Sequence, residues 1–192
     1  MVCEQAARVP SIFITGPVRS GKSRFAERLA RERGGDVTYV ATARVDPGDL
    51  EWCERIAHHA ARRPPQWNLI ETAREDAPSL ATIAREADAA QTLIVDSFGT
   101  WIAAQMMPGV QQNVLEANAR EAADALVVAR AHVIVVGEEA GWGVVPAYPA
   151  GRLFRDVLGR TQQRLAAGSL ATYLVVAGFA LDLRRSGEPV EG

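Results

Sequence analysis

Eight consecutive residues, Gly16-Pro17-Val18-Arg19-Ser20-Gly21-Lys22-Ser23, carry the spacing G-x-x-x-x-G-K-[ST], whose chemistry is the holding of a phosphate chain. Glycine at both ends lets the backbone curl so that successive N–H groups point at phosphate oxygens, and a following helix adds its positive N-terminal end. In that pattern Lys22 reaches the outer phosphates and the Ser23 hydroxyl ligates magnesium. Of 21 lysine and arginine residues 20 are arginine, and Lys22 is the single lysine. A compact ammonium fits between phosphates where a planar guanidinium does not, so the exception falls where the chemistry requires it. Asp96 closes the apolar run Thr92-Leu93-Ile94-Val95, the place from which an acid supports magnesium beside a phosphate loop; capping of the next helix is the competing reading.

His58 and His59 are two of only three histidines and fall in a segment of helical pattern ahead of Arg62-Arg63-Pro64. At about 100° per residue, His59 falls about 60° from apolar Ile56 while His58 points farther from that face, so His59 is the one expected to reach a site. Adjacent residues on a helix do not converge on one ion, which disfavours a metal pair. Arg62 and Arg63 lie on nearly the same face as His59 and are placed to neutralise a triphosphate. Arg152, Arg155, Arg160 and Arg164 form an arginine-rich face of a later helix. That face reads either as a clamp for a substrate phosphate or as an ion-pair ladder in which Asp156 meets Arg152 and Arg160.

These groups need a strand into the phosphate loop and a helix out of it. Ile12-Phe13-Ile14 supplies the strand, and Arg24 to Arg33 has helical periodicity and stops at Gly34-Gly35. Further strands are expected at Val37–Ala41, Asn68–Ile70 leading to Glu71, Thr92–Asp96, His132–Val136 and Thr172–Val176. Helices are expected at Asp49–Arg62, Pro78–Ala87, Thr100–Met107, Asn113–Arg130 and Arg152–Ala167, with a Gly- and Pro-rich loop over Gly137–Pro149. Strands alternating with helices predict an α/β fold of three layers, a mostly parallel sheet with helices on both faces and ligands at the carboxyl ends of the strands.

At 192 residues and 48% hydrophobic content, one domain over 1–192 is expected, with 1–10 and 185–192 as mobile tails. A net charge of -2 gives no electrostatic case for nucleic acid or an anionic membrane, which leaves a small substrate. Cys3 and Cys53 are too few for a disulfide framework and read as free thiols. Residues 1–10 lack an apolar signal core and no apolar run is long enough to span a bilayer, so the expected setting is the cytoplasm.

Six segments occur together: ITG-x-x-RSGKSRFAE from Ile14, TYVATA from Thr38, RIAHH…RRPPQW…E from Arg55 to Glu71, LIVDSFGTWI from Leu93, EAGWGVVP from Glu139 and RLFRDVLGRTQQRLA from Arg152. In order and spacing over about residues 11 to 184 they resemble the bifunctional adenosylcobinamide kinase and adenosylcobinamide-phosphate guanylyltransferase family of cobalamin biosynthesis. The resemblance implies a RecA-like phosphate-loop fold assembled as a homotrimer. It implies phosphorylation of adenosylcobinamide by ATP or GTP with Mg2+, then transfer of GMP from GTP to that phosphate through a GMP-histidine at His59. It also carries nucleotide contacts onto Ala41, Thr42, Ala43, Arg62, Arg63, Glu71 and Asp96. The chain departs from the family pattern at Pro17 and Val18, which replace Gly and Ala, and at Ala104, Glu138 and Gln162, where the family tends to have Asn. A stand-alone small-molecule kinase and a nucleotide-binding regulatory protein are the competing readings.

Overall fold

The computed structural model describes residues 11–190. Its strands are β1 (Ile12–Thr15), β2 (Val37–Ala41), β3 (Asn68–Glu71), β4 (Thr92–Asp96), β5 (His132–Val136), β6 (Ala171–Val176) and β7 (Phe179–Asp182). Its helices are α1 (Lys22–Arg33), α2 (Leu50–Arg62), α3 (Leu80–Glu86), α4 (Phe98–Gln105), α5 (Gln112–Val128), α6 (Pro149–Gly168) and α7 (Leu183–Ser186). One seven-stranded sheet runs β3-β2-β4-β5-β1-β6-β7. All its pairings are parallel except β6 with β7.

The central strands carry apolar residues on both faces because both faces of the sheet are covered. Leu93 and Val95 of β4 pack with α3, α4, α5 and α6, whereas the alternate residue Ile94 packs with Ala26 and Ala30 of α1. The second face is the thinner one, because α2 has no buried residue. That freedom from the core matters below, since α2 carries both adjacent histidines.

Several boundaries move, among them the start of α6, at Pro149 rather than Arg152, and two of the shifts have local reasons. Helix α1 begins at Lys22 because Gly21, at φ 104°, ends the loop in a conformation only glycine adopts easily. Lys22 and Ser23 bring no apolar signal, so periodicity alone starts the helix two residues late. Helix α4 begins at Phe98 because Ser97 caps it, its side chain accepting from the Thr100 amide.

The last strand and helix lie beyond the sequence reading. Ala177 and Gly178, at φ 51° and 83°, make a two-residue turn that folds β7 back on β6. Alanine in a left-handed conformation carries no turn signature, so the hairpin is silent in the sequence. Helix α7, started by Asp182 accepting from the Arg184 and Arg185 amides, takes Arg185 and Ser186 out of the expected tail. The expected tail at 1–10, with Cys3, lies outside the described residues; Cys53 is a free thiol. Among the described residues no helix is long and apolar enough to cross a membrane.

Candidate active site

The phosphate loop joins β1 to α1 and is pinned from two sides. Gly178 donates its amide to the Ser20 carbonyl at 3.0 Å, and Glu139 donates its amide to the Gly16 carbonyl at 3.0 Å. At Gly16, φ 147°, a side chain would begin 2.1 Å from the Val175 carbonyl oxygen, so glycine is required for the loop to pass β6. Lys22 is buried and donates to the Pro17 carbonyl at 2.8 Å, an arrangement that keeps its ammonium over the loop. Burial lowers the Lys22 pKa, opposed by the charges of Glu138 and Asp96.

Over this loop lies a cleft of about 1040 Å³. It is lined by Val18, Arg19, Ser20, Gly21, Lys22 and Ser23 of the loop and its helix start, by Ala41 at the end of β2 and Ala43 beyond it, and by Asp96 at the end of β4. Helix α2 adds His58, His59 and Arg62 to the lining, and Arg63 follows at its C-terminal end. Arg24, Arg28 and Arg55 join the lining although sequence reasoning did not single them out. Arg55 stands four residues before His59, and helix geometry places i and i+4 on one face, so a signal for it existed.

Asp96 is the hub of the polar network. Its carboxylate accepts a 2.5 Å hydrogen bond from the Tyr39 hydroxyl, and its Oδ2 lies 3.8 Å from His59 Nδ1. Burial pushes the Asp96 carboxyl up, but hydrogen bonds from His59, Tyr39 and Ser23 outweigh burial and hold it below the usual carboxylate range. Burial together with the Asp96 charge raises the Tyr39 hydroxyl, which stays a donor. His59 Nδ1 also lies 3.3 Å from the Arg62 guanidinium, which reaches on to buried Glu27 at 3.2 Å. Glu27 binds Arg31 as well, so the last turn of α2 is moored to α1 by a carboxylate that holds two arginines. Arg63 lies over the Tyr39 ring at 4.7 Å. His58 lines the same cleft but is exposed, whereas His59 is half-buried.

Ser23 and Asp96 offer a hydroxyl and a carboxylate, hard oxygen donors that suit magnesium. Among the described residues no group of three or more His, Cys, Asp or Glu could hold a metal by itself. Two oxygen donors leave an octahedral ion room for waters and substrate phosphates, so the donor set fits magnesium.

Glu138, two residues past β5, is the feature the sequence showed only as a departure. Its carboxylate accepts from the Gly99 amide at 2.9 Å, from the Thr100 hydroxyl at 3.3 Å and from the Ser97 hydroxyl. A side chain at Gly99 would begin 2.1 Å from Glu138 Oε2, so glycine there admits the carboxylate. Burial raises the Glu138 pKa to about 7, the Asp96 charge adds to the rise, and Lys22 opposes it.

Other expected residues are not in the cleft lining. Thr42 is buried and brackets Ser97, accepting its amide at 2.8 Å and donating to its carbonyl at 2.7 Å, so it braces the turn after Asp96. Glu71 is exposed at the end of β3, across β2 from β4. Arg152 donates to the Pro146 and Ala147 carbonyls, and Arg155 to those of Gly141, Gly143 and Val144, so both guanidinia hold the preceding loop rather than open onto the cleft. The rest of the arginine face pairs across to α5, Arg160 with Glu116 at 3.1 Å and Arg164 with Asp124, not with Asp156 within α6.

Asp96 thus stands between the phosphate loop, through Ser23, and the half-buried His59. Residues 12–183 match the family model for cobinamide kinase / cobinamide phosphate guanyltransferase. The chain belongs to that family. It is 37% identical over 178 residues to the bifunctional adenosylcobalamin biosynthesis protein CobP of Pseudomonas aeruginosa, covering 93% of this chain and 98% of the relative. Against the bifunctional adenosylcobalamin biosynthesis proteins CobU of Salmonella typhimurium and Escherichia coli, identity is 32% and 30%, with 90% of this chain and 99% of each relative covered. Among solved structures, an ATPase domain superposes with a TM-score of 0.50 at 12% identity, over 87% of this chain and 69% of that one. That likeness shows a phosphate-loop NTPase fold.

Proposed function

We propose that this chain is a transferase that phosphorylates adenosylcobinamide with ATP or GTP and then moves GMP from GTP onto adenosylcobinamide phosphate. The products of the second reaction are adenosylcobinamide-GDP and pyrophosphate, as nucleotide-loop assembly of cobalamin requires. The observation that carries the reading is a single cleft lined both by residues 18–23 of the phosphate loop and by His59 of α2.

In the first reaction the loop amides and Lys22 hold the triphosphate and stabilise charge on the transferring group. Magnesium, held by Ser23 and supported by Asp96, would neutralise charge on the phosphate oxygens. In the second, a histidine nitrogen attacks the α-phosphorus, the bond to the pyrophosphate oxygen breaks, and pyrophosphate leaves. An oxygen of adenosylcobinamide phosphate then displaces the histidine from the same phosphorus. Attack through Nε2 requires the proton on Nδ1, facing Asp96; the Arg62 contact to Nδ1, which only an unprotonated nitrogen accepts, must then give way. Arg62, Arg63 and Arg55 line the path a triphosphate takes between the loop and α2.

Incubation with GTP labelled at the γ or the α position tests the reading. Label from γ on the corrinoid, and acid-labile, alkali-stable label from α on the protein, are expected. Label from γ alone makes the chain a plain kinase, and neither label with nucleotide bound makes it a binding protein. The reading includes a cytoplasmic homotrimer, for which exposed Trp142, Tyr148 and Phe179 offer apolar contact area. Sedimentation equilibrium at a trimer mass supports it, and a monomer mass removes it.

A further inference from the structure

We propose that Glu138 accepts the proton of the attacking hydroxyl in the phosphoryl-transfer step, a role that rests on the kinase half of the function proposed above. In-line transfer puts the attacking oxygen on the side of the γ-phosphorus opposite the leaving oxygen. The phosphate loop and Lys22 wrap the leaving side, so the acceptor arrives from the carboxyl ends of β4 and β5. Glu138 stands there, in the strand position between Asp96 on β4 and the loop that follows β1, and it lines the cleft.

The side chain is held as a tool would be held. Gly99 leaves room for it, and the Gly99 amide with the Ser97 and Thr100 hydroxyls fixes the carboxylate plane while leaving lone pairs for a further donor. Among the other acids, Glu51 and Glu54 line the cleft but are exposed on α2, while those nearer the loop are committed. Asp96 takes the Tyr39 hydroxyl, Glu27 holds Arg31 and Arg62, and Glu139 accepts from the Gly141 amide at 2.7 Å. Two charged groups face Glu138, Asp96 from β4 and Lys22 from α1; together with burial they leave a proton affinity near neutrality, which suits a general base.

The step balances. The acceptor O–H bond breaks and its proton passes to the Glu138 carboxylate, the oxygen bonds to the γ-phosphorus, and the bond to the bridging oxygen breaks with its electron pair leaving on the nucleoside diphosphate. Glu138 returns the proton to water once the phosphorylated product has formed.

Steady-state phosphorylation of adenosylcobinamide by wild type, Glu138→Gln and Glu138→Asp tests this, alongside the affinity of each for a non-hydrolysable ATP analogue. Glu138→Gln should lose about 100-fold in kcat while its analogue Kd stays within about threefold, and the rise of wild-type kcat through neutral pH should flatten. Glu138→Asp keeps the base but retracts it, so kcat should be intermediate and the pH rise retained. A Glu138→Gln enzyme that keeps wild-type kcat, or one that loses kcat and analogue affinity in proportion, overturns the role. Wild type that binds the analogue but phosphorylates no adenosylcobinamide removes the kinase reading itself, and this inference with it.

Discussion

Replacing Glu138 by Gln should stabilise the protein, and only above acid pH. In the fold the carboxyl binds its proton more tightly than in the unfolded chain, rising from an ordinary 4.5 to about 7. A carboxyl raised in the folded state costs stability as pH climbs, because the unfolded chain gives up the proton first. The cost is absent below about pH 4, grows between the two pKa values, and is complete above about pH 7; at about 1.4 kcal/mol per tenfold change in proton affinity it amounts to about 3 kcal/mol. Glutamine has the same shape, its oxygen can take the Gly99 amide, and its NH2 can donate to the Ser97 and Thr100 hydroxyls. For a chain of this size about 3 kcal/mol corresponds to roughly 6–12 °C in Tm. Urea melts of both proteins without nucleotide or metal, at pH 4, 6 and 8, measure it directly. The curves should coincide at pH 4 and separate progressively to pH 8. Equal differences at all three pH values would show that Glu138 titrates as an ordinary surface acid and that the burial argument is wrong.

Three further outcomes are expected. Lys22→Ala should bring triphosphate turnover below about one hundredth of wild type while the folded baseline is kept, and Lys22→Arg should also be poor because a guanidinium does not fit a point-charge site; normal turnover by folded Lys22→Ala contradicts the loop assignment. Asp96→Asn should raise the magnesium concentration giving half-maximal activity about tenfold; identical magnesium titrations would leave Asp96 a purely structural acid. Its acid-side stability should also flatten, since a carboxyl held below its unfolded pKa contributes stability that is lost as pH falls through the folded value. His59→Ala should lose protein labelling from α-labelled GTP and keep corrinoid phosphorylation, whereas His58→Ala should keep both; label persisting on folded His59→Ala, or label that survives acid, takes His59 out of the chemistry.

The parallel strands were readable because burial on both faces leaves them rich in apolar and β-branched residues: the expected bounds of β2, β4 and β5 are those observed. The phosphate loop was readable because its glycines answer to backbone geometry rather than to distant partners. Helical angles alone separated His59 from His58, and the structure places His59 nearer Asp96 and less exposed. Properties assigned by tertiary neighbours stayed hidden. Whether Arg155 meets a phosphate or a loop carbonyl depends on where residues 141–144 run, which no spacing on α6 reveals. Glu138 becomes a high-pKa carboxyl only through burial and its placement beside Asp96, on a strand it does not share.

The position of β1 in the sheet fixes the order in which the site can assemble. Its neighbours are β5 and β6, with Ile12 set against Ile134 and Ala171, and the loop it feeds is fastened by the Gly178 amide. The residues that grip phosphate emerge early from the ribosome, yet every strand that holds them in shape is translated late. High contact order of this kind slows folding, because long loop closures come before the contacts that stabilise them. Nucleotide therefore has no finished loop to bind until β6 and the turn behind it are in place, which makes ligand-dependent protection of Lys22 a late marker of folding for the whole sheet.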